Sequence, residues 1–305
     1  MRPATETRLE TPMSDHRTTP LLVTGANGAL GRLVLAELIA RGASDLRAGS
    51  RKPEALDITG ATPVHVDFDD EASLEAAFAG VERLMIISTD ALDDKGTRQR
   101  QHRAAVAAAA RAGVRHVVYT SMPAPAADHP IFFAPDHLAT EEAIKASGMG
   151  YTILRNNWYF ENLALSVPGA LAHGAMLTAA GEGRIAHGAR ADYAAAAAGA
   201  LLTEGESAVY DLSGPEAQTV AEQVAAINAA LGSAIAVVPM DDAALGETLT
   251  GAGVPAPLAA LLVGADRAAR EGRMDSVTDH VARLSGRAPQ TLAAWLATNA
   301  QMLKG

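Results

Sequence analysis

Cysteine is absent from this sequence of 305 residues. Its absence excludes disulfides, thiolate nucleophiles and cysteine-ligated zinc or iron–sulfur sites, and it fits a reducing cytoplasm, the expected location. Cationic charge is scarce: 25 Lys and Arg stand against 35 Asp and Glu, a net charge of −10. Nucleic acid and anionic membrane both select a basic face, so neither is an expected partner. No uncharged apolar run approaches the roughly 18 residues that a membrane span needs. Residues 1–19, rich in Thr, Pro and charge, hold no apolar stretch of the kind a secretory signal requires and read as a flexible leader, within which Met13 is an alternative start. No His, Asp and Glu cluster has metal-ligand spacing, and no G-x-S-x-G serine elbow occurs, so no metal is expected.

What the chain does have is glycine in one telling place. An apolar run, Leu21-Leu22-Val23, leads into Gly25-Ala26-Asn27-Gly28-Ala29-Leu30-Gly31 and then into an amphipathic segment that Gly42 ends. The pattern predicts strand, tight turn and helix. In that setting Gly25 turns the chain, Gly28 lets a pyrophosphate approach the backbone, and Gly31 lets the helix sit close to the strand. Phosphate oxygens then meet the unpaired N–H groups at the start of the helix, so Gly25, Asn27, Gly28, Ala29, Leu30 and Gly31 are the first cofactor-binding candidates.

Beyond the turn, strands are expected at Leu46–Ser50, Val64–Phe68, Leu84–Ser88, Val117–Thr120 and Tyr151–Leu154. The intervening stretches carry helical periodicity, including about Ser73–Ala79 and Pro135–Ser147. Strands alternating with helices predict an α/β fold, a Rossmann-type doubly wound parallel sheet over residues 20–155, with ligands at the carboxyl ends of the strands. From Asn156 the pattern loosens, so residues 156–305 are expected to form a smaller C-terminal α/β lobe interleaved with the main domain. A further strand is expected at Val209–Leu212, a helix at Thr219–Leu231 and a last strand at Ile235–Val238.

The strand ends supply the remaining candidates. An NAD site usually closes its second strand with a carboxylate for the ribose hydroxyls, whereas a 2′-phosphate wants a guanidinium. Here Arg51 and Lys52 follow the strand, which favours NADPH, with NADH still possible. Asp67 and Phe68 close the third expected strand, where an adenine finds an aromatic face and an acid; Ser88 and Thr89 close the fourth. Carbonyl-reducing short-chain dehydrogenases place a Ser at the end of strand five and a Tyr-x-x-x-Lys further on. Ser121 occupies the first position, after Thr120, but Phe133-Ala134-Pro135-Asp136-His137 stands where the pair would fall. Phenylalanine has no proton to give, so an acceptor needing little protonation is expected.

Taken together, the glycine turn, Gln101-His102-Arg103, Tyr119-Thr120-Ser121, Asp136-His137, Leu154-Arg155-Asn156-Asn157-Trp158-Tyr159 and Arg190-Ala191-Asp192-Tyr193 resemble the NmrA-like atypical short-chain dehydrogenases, most of all the bacterial type 2 NAD(P)H:quinone oxidoreductases. The resemblance runs from about Leu21 to the C-terminus. It implies NADPH in the cleft and direct hydride transfer, without flavin, to a small planar substrate such as a quinone, in a monomer or homodimer. It also implies that Asn156 lines nicotinamide and substrate, with His137 and Tyr159 as further catalytic candidates. Phe133, Asn157, Trp158 and Tyr159 then form the substrate side, and His137 is a candidate for the cofactor ribose as well. Two other functions fit the same residues: a cofactor-sensing regulator without turnover, and a reductase of a biosynthetic enone or imine. The second strand yields the first prediction. Arg51→Ala should weaken NADPH binding much more than NADH binding in a calorimetric titration; equal losses would count against a 2′-phosphate contact.

Overall fold

The computed structural model describes residues 16–91, 96–203 and 205–304. Its strands are β1 (Leu21–Val23), β2 (Leu46–Ser50), β3 (Thr62–His65), β4 (Arg83–Ile86), β5 (His116–Ser121), β6 (Gly150–Asn156), β7 (Ala175–Thr178), β8 (Arg184–Ile185), β9 (Ala208–Leu212), β10 (Gln218–Thr219) and β11 (Ala236–Pro239). The helices are α1 (Ala29–Ala40), α2 (Glu71–Phe78), α3 (Thr97–Arg111), α4 (Ala134–Ala146), α5 (Val167–His173), α6 (Arg190–Leu202), α7 (Val220–Leu231), α8 (Asp242–Gly251), α9 (Ala256–Arg270), α10 (His280–Ser285) and α11 (Leu292–Asn299).

Continuous apolar runs such as Leu84-Met85-Ile86 carry no polar face, so they are stable only when covered on both sides. The structure meets that demand with a seven-stranded sheet in the order β3-β2-β1-β4-β5-β6-β9, in which every neighbouring pair is parallel. On one face Leu30, Val34, Leu35 and Leu38 of α1 pack with the alanines of α6 and Val281 of α10. On the other, Leu74 and Phe78 of α2, Val106 and Ala109 of α3 and Ile144 of α4 form the second layer. The strand order reverses between β1 and β4, which opens the crevice in which ligands of such sheets bind.

The smaller lobe holds the β10-β8 and β11-β7 pairs and a core of its own around Phe160, Trp295 and Leu296. Two elements from residues 156–305 belong to the main sheet instead: α6 covers it and β9 extends it. Several expected boundaries shift. The third and fourth strands end at His65 and Ile86, so Asp67, Phe68, Ser88 and Thr89 lie in the turns beyond them. Strand six runs on to Asn156, and β7 was not anticipated. Of the expected leader, residues 1–15 lie outside the described residues. His16 to Thr19 are not loose: His16 N–H donates to the Leu202 carbonyl at 3.2 Å, and Ser44 N–H donates to the Arg17 carbonyl at 2.9 Å.

Candidate active site

The β1–α1 turn is tight for a steric reason. Gly25 has φ +65°, a region costly for a residue with a Cβ. A Cβ added at residue 31 would stand 2.2 Å from the Gly25 carbonyl oxygen, a distance no side chain tolerates. The helix that follows has Gly28 as its N-cap, no side-chain cap and no acidic residue in its first turn. Its leading N–H groups therefore have no side-chain cap and no competing carboxylate, the condition under which a helix start can take an anion. Asn27 ties this turn to the end of β2, donating to Ser50 Oγ at 2.6 Å and to the Lys52 carbonyl at 3.1 Å.

Arg51 and Lys52 are both exposed at that strand end. Sequence reading missed a third cation beside them. Arg32, in the first turn of α1, donates through Nε to the Asn27 carbonyl at 3.1 Å and through Nη2 to Asn27 Oδ1 at 3.3 Å. Helical periodicity places Arg32 on the solvent face, and only the turn geometry returns its head to the glycines.

Further along the carboxyl edge, Asp67 Oδ1 accepts from Asp69 N–H at 3.0 Å, and Ser73 Oγ accepts from Asp67 N–H. Phe68 packs at the rim of the second core layer. Thr120 Oγ1 accepts from Ser88 N–H at 2.9 Å, which joins the ends of β4 and β5. Thr89 N–H donates to His102 Nε2 at 3.0 Å.

Two sequence candidates are engaged in the protein frame. The Ser121 hydroxyl donates to Glu141 Oε1 at 2.7 Å, and Arg155 grips the same carboxylate with two hydrogen bonds of 2.9 and 2.8 Å. The Glu141 side chain is 0% exposed. Burial pushes its carboxyl up, but Arg155 and Ser121 outweigh that effect and hold it below the ordinary value. His137 is 3% exposed. Its Nδ1 lies 2.8 Å from Tyr119 Oη and its Nε2 accepts from Arg98 Nη2 at 3.1 Å. Burial, then the Arg98 charge, keeps the His137 ring neutral, and the same causes lower His102 to about 3. Both nitrogens of His137 are thus occupied, and neither points to an open ligand position.

The end of β6 is different. Asn156 Nδ2 donates to Tyr159 Oη at 3.2 Å, but Asn156 Oδ1 is buried with no partner. Burial raises the Tyr159 phenol and keeps it protonated, and the Arg190 guanidinium covers its ring at 4.8 Å. Asn157 is structural: its side chain donates to the Met274 carbonyl and accepts from Trp158 N–H. Trp158 and Phe133 pack on one apolar cluster with Met122 and Ile131. A cavity of about 110 Å³ continues from Trp158 into the lobe past Ile185, His187, Gln223 and Asp266.

Buried polar atoms are normally paired, so the exceptions are informative. Among the described residues Thr89 Oγ1, Arg98 Nε, Gln101 Oε1 and Asn156 Oδ1 are such exceptions. All four belong to the β4–α3 connection, the start of α3 or the end of β6. With the uncapped helix start and three cations, this edge fits a dinucleotide that brings phosphates, hydroxyls and an amide.

The fold and this edge define a dinucleotide-binding reductase site, and comparison with known proteins agrees. Residues 25–204 match the NAD(P)H-binding family. Quinone oxidoreductase 2 of Escherichia coli (strain K12) is 38% identical over 278 residues, covering 90% of this chain and 96% of that protein. A structure of an Escherichia coli NADPH-dependent quinone oxidoreductase complexed with NADPH superimposes with a TM-score of 0.85 at 36% identity, covering 91% of this chain and 98% of that one. Triphenylmethane reductase of Citrobacter sp., complexed with NADP(H), gives 0.81 at 31% identity over 92% and 99%. The chain therefore belongs to the NAD(P)H-binding family, among its NmrA-like members, and is an NAD(P)H-dependent oxidoreductase. Among the described residues no group of His, Asp and Glu could hold a metal ion, and no helix is long and apolar enough to cross a membrane.

The Glu141 hub generates a stability prediction. Removing one partner of a buried ion pair costs about 3–5 kcal/mol, so Glu141→Ala should lower the unfolding free energy by an amount in that range. Because the folded carboxyl lies below its unfolded value, its contribution is present above about pH 4.5 and is lost as pH falls further. Glu141→Gln should therefore flatten the acid limb of stability against pH in a urea titration series.

Proposed function

We propose that this protein is an NADPH-dependent reductase that delivers hydride directly, without flavin, to a quinone or a similar planar conjugated acceptor. The observation that carries the reading is Asn156 Oδ1, a buried acceptor without a partner among the described residues at the end of β6, in a chain that has Phe133 where the sequence pattern of carbonyl reductases has a proton-donating tyrosine. NADPH, when bound, supplies a hydride from its nicotinamide ring.

The chain's own residues do the rest. The Gly25–Gly31 turn and the start of α1 hold the pyrophosphate, with Arg51, Lys52 and Arg32 available to the 2′-phosphate. Asp67 and Phe68 flank the adenine. Ser88, Thr89 and Thr120 form the floor between β4 and β5, where Thr89 Oγ1 awaits a partner. Asn156 takes the carboxamide N–H of the nicotinamide and so fixes the ring's face. Tyr159 orients Asn156 through their hydrogen bond. Ser121 and His137 act by position, the first by locking Glu141 and the second by holding Tyr119 and Arg98. Phe133 and Trp158 offer aromatic surface to a flat acceptor. A quinone suits this site because it accepts hydride readily and takes its proton from water afterwards.

The test is to mix purified protein with NADPH and 1,4-benzoquinone, with no flavin added, and to follow NADPH absorbance. We expect steady oxidation, and a fall in kcat of about tenfold in Asn156→Ala, the loss of roughly one hydrogen bond. NADPH that binds by calorimetry but is oxidised no faster than background, across several quinones and dyes, would identify a cofactor sensor instead.

A further inference from the structure

Among the described residues two arginines, Arg83 and Arg98, are buried, and Arg155 is partly buried. Arg83 ends α6 by donating to the carbonyls of Leu201, Ala200 and Thr203 at 2.7, 3.0 and 3.0 Å. Arg155 is paired with Glu141. Arg98 is 7% exposed and has no ion-pair partner among the described residues. Among the described residues its only hydrogen bond is the one from Nη2 to neutral His137, and its buried Nε meets no acceptor there. The nearby Asp136 carboxylate accepts from Gln99 Nε2 at 2.9 Å instead. Arg98 is also the second residue of α3, where the helix dipole opposes a cation. A buried charge with no ion-pair partner among the described residues, at the wrong end of a helix, is unfavourable, and the charges of Asp136 and Asp90 and the Phe133 ring do not fully offset it.

Its surroundings suggest what does. The guanidinium carbon lies 4.9 Å from the centre of the Phe133 ring, and Nη2 lies 3.1 Å from His137. These two residues occupy the places of the tyrosine and lysine of a Tyr-x-x-x-Lys pair. The acid of that pair is gone and the lysine has become a neutral imidazole, but a cation is still present, brought from α3 rather than α4.

We propose that Arg98 stabilises the negative charge that hydride transfer leaves on the acceptor oxygen. This rests on the reductase reading above. The C4–H bond of NADPH breaks with both electrons, the acceptor gains the hydride and one negative charge, and the cofactor departs oxidised. A guanidinium N–H donates to the charged oxygen until water supplies the proton. Arg98 thus performs the electrostatic half of the missing pair's work, and solvent performs the acid half.

The test uses the full chain with Arg98→Met, which keeps the length and removes the charge, and Arg98→Lys, which keeps the charge. Each is saturated with NADP+ and titrated with 4-nitrophenol, a planar phenol whose absorbance reports its ionisation. On the wild type, bound 4-nitrophenol should ionise at lower pH than in solution; Arg98→Met should abolish that displacement and Arg98→Lys should keep part of it. With 1,4-benzoquinone, kcat should fall by about 10²–10³ in Arg98→Met, as for loss of one oxyanion donor, while NADPH affinity stays within about threefold. Arg98→Met should melt no lower than the wild type, because an uncompensated buried charge is gone; should it fail to fold, Arg98→Lys carries the comparison. Unchanged kcat in Arg98→Met, or no displacement on the wild type, overturns the assignment of Arg98 alone. A wild type that turns over no quinone overturns the reductase reading with it.

Discussion

The site depends on how closely α1 approaches the turn before it. The 2.2 Å gap between a notional Cβ at residue 31 and the Gly25 carbonyl oxygen means that only glycine lets the helix begin there. Starting there, the helix presents its unpaired N–H groups at the end of β1, beside the point where the strand order reverses. The Asn27 bonds to Ser50 and Lys52 then tie the glycine turn to the strand end that carries the cations after β2. A longer turn would leave both features in the chain but not in register.

Around that turn the polar groups divide into two sets. One set is fully paired and rigid: Ser121, Glu141 and Arg155 clamp α4 to β5 and β6, and His102 and His137 hold the β4–α3 connection with both rings neutral. The other set is buried and partly unpaired, and it lies at the carboxyl edge. The first set stabilises the fold and the second retains binding capacity for what enters. The lost tyrosine belongs to the same logic, since an acceptor that needs charge stabilisation more than a proton can be served by a guanidinium.

Much of this was legible in the sequence, and the parts that were not share a cause. Periodicity sufficed for the alternating fold and the glycine turn, because both are local patterns. The third strand ends three residues before the expected Phe68 and the fourth two before the expected Ser88. The roles of Ser121 and His137 were hidden because they depend on Glu141 and Arg98, residues on other elements whose meeting no spacing rule predicts. Arg32 read as a solvent-face residue, and Arg98 sat unremarked in a polar run before the alanines of α3. Asn156 was found because it lies in the most distinctive run of the chain, and the structure added that its oxygen is unclaimed.

The central claim is that hydride passes directly from the dinucleotide held at this edge to the acceptor. Its most direct test is a single-turnover experiment in which enzyme preloaded with NADPH, deuterated at both C4 positions, is mixed with excess quinone. The account predicts slower oxidation than with unlabelled NADPH and no flavin band in the protein's spectrum. Equal rates for the two cofactors in a step shown to be chemistry, or a flavin band that bleaches and recovers during turnover, would contradict it.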